Sequence, residues 1–264
     1  MIDTQQHKPL NVLVIGDACL DKYHYGSCDR ISSEAPVPVF KHSYTEEREG
    51  MCFNVANNLV ALGVKVDTLR SVELIHKERF VDIKTKQHLL RSDFGENKGI
   101  DPLSITEIKG IEFECYDAVV ISDYNKGFIT SENGLLIAKC CMKLHVPLFV
   151  DSKKRDLSCF DGSVIKINEK EWNHVTRYPR NYELVVTLGA QGASWNNNTY
   201  KTRECEIFDV CGAGDTFLAS LVFEHLRTSS IEKSIIFANS CSRIAVQKFG
   251  TYILTKEDID GLRS

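Results

Sequence analysis

The chain has 264 residues, 43% of them hydrophobic and 26% charged, with a formal net charge of −4. That length suffices for one large α/β domain with a generous core. The mildly acidic balance excludes the basic footprint of a nucleic-acid binder, and no apolar run is long enough for a membrane span.

Met1 to Leu10 is polar, so no leader is expected. Asn11 to Gly16 is a short apolar run ending in Gly-Asp and reads as a buried parallel strand. Tyr23 to Gly26 and Val37 to Tyr44 mix aromatic and β-branched residues with polar ones, and Pro36 and Pro38 confine the region to a sheet edge. They are expected to form a small β lid over about residues 21–48. Asn54 to Leu62 has helical spacing and stops at Gly63. Val119 to Ser122, Leu148 to Asp151, Val164 to Asn168 and Leu184 to Thr187 are further apolar runs, separated in part by helical stretches such as Leu135 to Leu144. Asp215 to Leu226 and Ile231 to Gln247 read as helices, and T-x-x-D opens another at Thr255. The alternation predicts an α/β fold, a mostly parallel central sheet with helices on both faces, in a single domain spanning residues 1–264. Ten scattered cysteines with no C-x-x-C pair read as reduced thiols of a cytoplasmic protein, not as a disulfide or zinc framework.

Ligands of such sheets bind beyond the carboxyl ends of the strands. Asp17, Asp21, Asp123, Asp151, Lys153, Asn168, Glu171, Thr187, Gly189 and Gly192 fall at or just after those ends. The most informative stretch is F-D-V-C-G-A-G-D-T-F-L-A-S, Phe208 to Ser220. A glycine-bearing turn that opens a helix aims free N–H groups and the positive helix end at one spot, which suits a phosphoryl group. A carboxylate there, Asp215, is placed to take a proton from an attacking hydroxyl. On the turn alone, the plainer reading of Asp215 as a helix cap stands ahead.

The order of several strings resolves that choice. D-V-C-G-A-G-D at Asp209 to Asp215, N-E-K-E at Asn168 to Glu171 and V-T-L-G-A-Q-G at Val186 to Gly192 resemble the ribokinase-like (PfkB-type) carbohydrate kinases. G-D-A-C-L-D-K-Y at Gly16 to Tyr23, R-I-S-S-E-A-P-V-P-V at Arg30 to Val39, Q-H-L-L-R-S-D at Gln87 to Asp93 and S-D-Y-N-K-G at Ser122 to Gly127 resemble, within that superfamily, the D-glycero-D-manno-heptose 7-phosphate kinases. The resemblance implies a kinase that uses ATP and Mg²⁺ to phosphorylate a sugar or sugar phosphate, heptose 7-phosphate foremost, at its anomeric hydroxyl. It implies Asp215 as base and the backbone of Gly212, Ala213 and Gly214 as anion hole. Asn168 and Glu171 would hold Mg²⁺ or its waters, though a plain helix cap explains them as well. Thr187, Gly189, Gly192 and Asn239 would lie along the nucleotide. Asp17, Asp21, Gly50 and Asn54 would meet the sugar, Asp17 being favoured over Asp21 because it directly follows a strand. Arg30, Lys126, Lys153 and Arg91 are the cations offered to a substrate phosphate. The lid would exclude water and, as in several family members, build a homodimer.

Three departures stand out. Met51 follows Gly50 where the family has a second glycine, Cys211 replaces a threonine, and a strand–helix unit is missing between Leu69 and His76. They support an alternative, a sugar- or nucleotide-binding protein that has lost turnover. A nucleoside kinase shares the C-terminal motifs, but the R-I-S-S-E-A-P-V-P-V string argues against it.

Overall fold

Val12 to Ile15 are all buried, so the first strand, β1 (Asn11–Gly16), has protein on both faces. Val12 and Val14 enter one core while Leu13 and Ile15 enter another, the period-two division of a central strand. The structure is a computed structural model that describes residues 9–96 and 99–263; the polar stretch 1–8 lies outside them.

After β1 the chain runs through β2 (Ala18–Ile31), β3 (Pro38–Met51), α1 (Cys52–Ala61), β4 (Lys65–Arg70), β5 (Ile75–Asp82), β6 (His88–Phe94) and α2 (Ile105–Lys109). It continues as β7 (Ala118–Asp123), α3 (Ser131–Leu144), β8 (Leu148–Ser152), β9 (Ser163–Asn168), α4 (Glu169–Trp172) and β10 (Tyr182–Thr187). The strands β11 (Ala193–Trp195) and β12 (Asn198–Tyr200) precede α5 (Ala213–Thr228), α6 (Ile231–Ala245) and α7 (Lys256–Arg263). The main sheet has the order β12-β11-β10-β9-β8-β7-β1-β4, parallel from β10 to β4, with β11 and β12 antiparallel at one end. Helices α1, α5 and α6 cover one face through Leu59, Leu221 and Ile235; α2 and α3 cover the other through Ile108 and Ile137. This is the α/β arrangement that the alternation of elements predicts.

Local chemistry sets the helix ends. Thr255 and Asp258 cap α7 reciprocally, the Asp258 N–H donating to Thr255 Oγ1 at 3.3 Å and the Thr255 N–H to Asp258 Oδ2 at 2.9 Å. Helix α5 is buried from Asp215 to Phe223, so its start is fixed by packing along its first two turns.

The second sheet has the order β3-β2-β5-β6. Pro38 opens β3, an edge strand, as proline requires. The lid therefore takes two more strands than residues 21–48 supply. In β5 the inward positions Ile75, Arg79 and Val81 include a buried arginine, which breaks the apolar alternation that would have revealed the strand. Four residues, Ser71 to Leu74, join β4 to β5, and β4 pairs with β1 alone. The main sheet thus ends where the missing strand–helix unit would continue it.

The lid is tied down over the start of α5. Arg48 Nη1 donates to the carbonyls of Phe249 (2.6 Å) and Thr251 (3.2 Å). Tyr23, Tyr25 and Val81 pack on Phe249. The Gly250 N–H in turn donates to Asp209 Oδ2 at 2.9 Å, just ahead of the glycine turn.

Candidate active site

Gly212 caps α5 with φ +75°, a left-handed conformation that costs glycine little. A Cβ there would stand 2.6 Å from Asn54 Nδ2. The first turn of a helix has N–H groups with no carbonyl partner in the helix, so Gly212 to Asp215 offer backbone donors at one spot, that of Ala213 being shared with the Val210 carbonyl at 3.3 Å. Lys166 strengthens it, because a Cβ on Gly214 would come within 2.9 Å of Lys166 Nζ. That ammonium is buried and paired with Asp151 Oδ2 at 2.6 Å. Burial pulls its pKa down, but the Asp151 charge and hydrogen bond outweigh this and leave it raised.

Asp215 is buried, and burial pushes its carboxyl up to about 6. Two donors oppose that rise: Asn54 Nδ2 to Oδ2 at 3.0 Å and the Tyr124 hydroxyl to Oδ1 at 2.8 Å. The result is a carboxylate ionised at neutral pH yet basic enough to accept a proton, the range that suits a general base.

Two cavities meet at this turn. The larger, about 620 Å³, is lined by Ala213, Gly214, Lys166, Asn168 and the glycine turn after β10. The smaller, about 320 Å³, is lined by Gly212, Asp215, Tyr124 and charged side chains, many of them from the lid. Asp215 and the donors of α5 thus lie on the wall between two binding spaces.

The sequence-expected residues divide between these spaces. Thr187, Gly189, Gly192 and Asn239 all line the larger cavity, and Asn239 is held by donating to the Tyr200 carbonyl at 2.7 Å. Asp21, Lys126, Lys153 and Arg91 line the smaller one. Gly50 lies against Asp21 at the end of β3. Asn54 is fully buried and reaches the site only through Asp215 and the Gly212 carbonyl, so it holds the Asp215 carboxylate in place. Asp17 is fully buried too; its Oδ2 accepts from the Tyr124 N–H (2.8 Å) and the Lys126 N–H (3.2 Å). It shapes the loop after β7 and, unlike Asp21, lines neither cavity, while its Oδ1 is buried with no hydrogen-bond partner among the described residues. Arg30 is exposed near the end of β2 and contributes to neither cavity.

Sequence reasoning missed Tyr124, Lys166, Lys77 and Arg79. Tyr124 stands in the S-D-Y-N-K-G string directly after a strand, where the strand-end rule could have found it. Arg79 donates to Asp21 Oδ1 at 2.6 Å from a strand with no sequence signature.

Residues 111–258 match the pfkB family carbohydrate kinases. The chain belongs to that family. pfkB kinases use ATP. Two similar curated relatives are the Bifunctional protein HldE of Sulfurimonas denitrificans, 32% identical over 94% of this chain and 63% of the relative, and that of Escherichia coli O9:H4, 30% identical over 94% and 62%. The chain spans about three fifths of the length of these relatives. Its fold resembles phosphofructokinase-2 from Escherichia coli in complex with potassium (TM-score 0.74, 16% identity, 96% of this chain and 97% of that one). It also resembles Arabidopsis thaliana ribokinase complexed with ribose and ATP (TM-score 0.69, 15% identity, 97% and 100%). The fold is therefore ribokinase-like, with a four-stranded lid.

The pfkB chain offers a sparse site for a divalent metal. Asn168 Oδ1 accepts from the Glu171 N–H (2.8 Å) and Glu171 Oε2 from the Asn168 N–H (2.9 Å), the reciprocal cap that the sequence left open. Glu171 Oε1 faces Lys153 Nζ at 3.5 Å. Among the described residues no three His, Cys, Asp or Glu side chains gather as a metal cage. One carboxylate and one amide oxygen fit Mg²⁺, which keeps most of its waters and rests on nucleotide phosphates. Among the described residues no helix is long and apolar enough to cross a membrane, and no disulfide joins the cysteines.

Proposed function

We propose that this chain transfers the γ-phosphoryl group of ATP to a hydroxyl of a phosphorylated sugar, with the anomeric hydroxyl of heptose 7-phosphate as the acceptor. The observation that carries the reading is Asp215, a buried carboxylate with a pKa near 6 on the wall between the two cavities. The acceptor hydroxyl gives its proton to Asp215 as its oxygen forms the bond to the γ-phosphorus, and the bond to the ADP oxygen breaks. Charge gathering on the transferred group meets the α5 N–H donors and the Lys166 ammonium. Asn168 and Glu171 would hold the water shell of Mg²⁺, which when bound neutralises phosphate charge. The lid excludes water, so transfer goes to sugar and not to solvent.

A phosphorylated acceptor is supported by the smaller cavity, where Lys77, Arg79, Arg91, Lys126 and Lys153 converge. Arg79, Arg91 and Lys126 are each paired with a carboxylate, Asp21, Asp93 and Glu96 respectively. Lys153 lies 3.5 Å from Glu171, and Lys77 borders the Tyr124 ring. The HldE relatives favour the heptose, since the sequence strings shared with heptose kinases include the lid and the S-D-Y-N-K-G loop. The exposed lid residues Ile31, Val37, Leu90 and Phe94 support a homodimer through the lid. Met51, buried in the acceptor cavity, favours the second reading, a binding protein without turnover.

The test is ADP release from Mg·ATP across sugars and sugar phosphates, heptose 7-phosphate included, with Asp215→Asn as the blank. Turnover on one sugar phosphate that vanishes in the variant is the expected result. ATP binding without turnover on any acceptor would replace the kinase reading with the binding protein.

A further inference from the structure

We infer that the Tyr124 hydroxyl is a placeholder for the acceptor hydroxyl: it donates to Asp215 Oδ1 before the sugar binds and surrenders that oxygen to the sugar hydroxyl. The inference rests on the reading of Asp215 as the base.

The two carboxylate oxygens of Asp215 have different surroundings. Oδ2 takes Asn54 Nδ2 at 3.0 Å, and Asn54 is fully buried with no wall on the acceptor cavity. Oδ1 takes the Tyr124 hydroxyl at 2.8 Å, and both Asp215 and Tyr124 do line that cavity. The oxygen on the cavity side is therefore the one the phenol occupies. An incoming sugar hydroxyl offers the same kind of donor to the same oxygen, so the exchange keeps the buried carboxylate hydrogen-bonded.

The phenol is held so that it can be exchanged. Its backbone is pinned, the N–H donating to the buried Asp17, while its ring is partly buried at the cavity wall. Lys153 Nζ lies 4.4 Å and Lys77 Nζ 5.5 Å from the ring centroid. These ammonium groups steady the ring by cation–π attraction and line the same cavity. An acceptor phosphate draws both lysines toward itself and so loosens the ring as the sugar hydroxyl arrives.

The other groups facing Asp215 are Lys166 from β9, Asp151 from β8, Cys19 from β2 and Cys52 from α1. Burial pushes both thiols up, keeping them neutral, and the Lys166–Asp151 pair is present with or without the phenol. A change of Tyr124 to Phe therefore isolates the hydroxyl.

The experiment is the pH profile of Tyr124→Phe with Mg·ATP and heptose 7-phosphate. The acid limb of kcat/KM reports the free enzyme and that of kcat the complex. Without the phenol donor the free carboxylate is harder to ionise, so the kcat/KM limb should rise by about one pH unit. The kcat limb should stay at its wild-type position, because the sugar has replaced the phenol there. Movement of both limbs would show the phenol bonded throughout turnover, and movement of neither would show a ring that merely fills space; either overturns the inference. If Tyr124→Phe misfolds, 3-fluorotyrosine at position 124 keeps the packing with a stronger donor and should lower the kcat/KM limb. A ¹³C carboxylate titration of Asp215 in acceptor-free protein needs no turnover. An Asp215 titration that Tyr124→Phe leaves unchanged overturns the inference even if no acceptor is ever phosphorylated, which separates its failure from that of the kinase reading.

Discussion

The larger cavity, proposed as the nucleotide side, is walled by strand ends and glycine turns of the C-terminal half, whereas the smaller, proposed as the acceptor side, is walled by charged side chains, many from lid strands far apart in sequence. The first is shaped by backbone and short loops, and Gly189 and Gly192 in its wall both have positive φ. The second is shaped by the tips of Lys77, Arg79, Arg91 and Lys126, and three of these already have carboxylate partners. A backbone-built site tolerates little change in sequence; a side-chain-built site can be retuned one residue at a time. Met51 and Cys211 both line the smaller cavity, and the departure after Leu69 lies where β4 leads into the lid strand β5.

The largest expected effect falls on the residue both halves share. Asp215→Asn should lower kcat by about 10³-fold, within the range of a lost general base, and leave ATP affinity nearly unchanged. The same variant should be more stable than the wild type at alkaline pH. The folded protein raises the Asp215 pKa from 3.8 to about 6, so it binds that proton more tightly than the unfolded chain does. That contribution to stability is present below about pH 4 and is lost as pH rises through 6. Denaturant unfolding at about pH 8 should show Asn ahead by on the order of 2 kcal/mol, with the gain gone in acid. Equal stability at both pH values would mean the carboxylate is not strained by burial.

A second change breaks the nucleotide side alone. Gly192 has φ +93°, and a Cβ there would strike the Tyr200 carbonyl and stand 2.8 Å from the Thr202 nitrogen. Gly192→Ala should cost about 1–3 kcal/mol of stability and raise the KM for ATP, with the KM for the acceptor unmoved once folded protein is compared. A third change breaks the acceptor side alone. Lys77→Met removes a cation without stranding a paired carboxylate, and should raise the acceptor KM about 10- to 100-fold with the ATP KM intact. If each variant altered both KM values, the division of labour between the cavities would not hold.

That division also explains what was legible in the sequence. The main sheet was readable because β1, β7 and β8 carry continuous apolar runs buried on both faces, with shorter apolar stretches in β9 and β10. The nucleotide cavity was readable because its parts are contiguous strings, T-L-G-A-Q-G and G-A-G-D, whose glycines leave a trace. The acceptor cavity was not, because β2 and β5 pair across a gap of more than forty residues and the Arg79–Asp21 pair looks like two ordinary surface charges. Asp17 is ambiguous in sequence for a related reason: a carboxylate at a strand end serves equally well to bind ligand or to bind its own loop, and here its Oδ2 accepts from the Tyr124 and Lys126 N–H groups. Position along the strand cannot separate those uses; the direction of the side chain does.

Met51 is the place where the acceptor side carries a backbone feature of the other side. Its φ of 58° and ψ of −130° at the start of α1 belong to a region that favours glycine, yet its side chain is buried and lines the acceptor cavity. Two opposing effects follow from Met51→Gly: relief of about 1–3 kcal/mol of backbone strain, and loss of buried side-chain packing of comparable size. Their difference is small and uninformative by itself, so the useful comparison is with Met51→Ala. Both variants empty the same space, but alanine keeps the strain. At an ordinary helix position glycine is less stable than alanine by about 0.5–1 kcal/mol; at position 51 the order should invert, with glycine ahead by about 1 kcal/mol in thermal or denaturant unfolding. A change in acceptor KM common to both variants then measures how far the Met51 side chain restricts the sugar, while a change confined to glycine measures freedom at the junction of β3 and α1. Alanine as stable as glycine, with neither altering the acceptor KM, would remove Met51 from the acceptor side and leave the missing strand–helix unit as the departure that distinguishes that half.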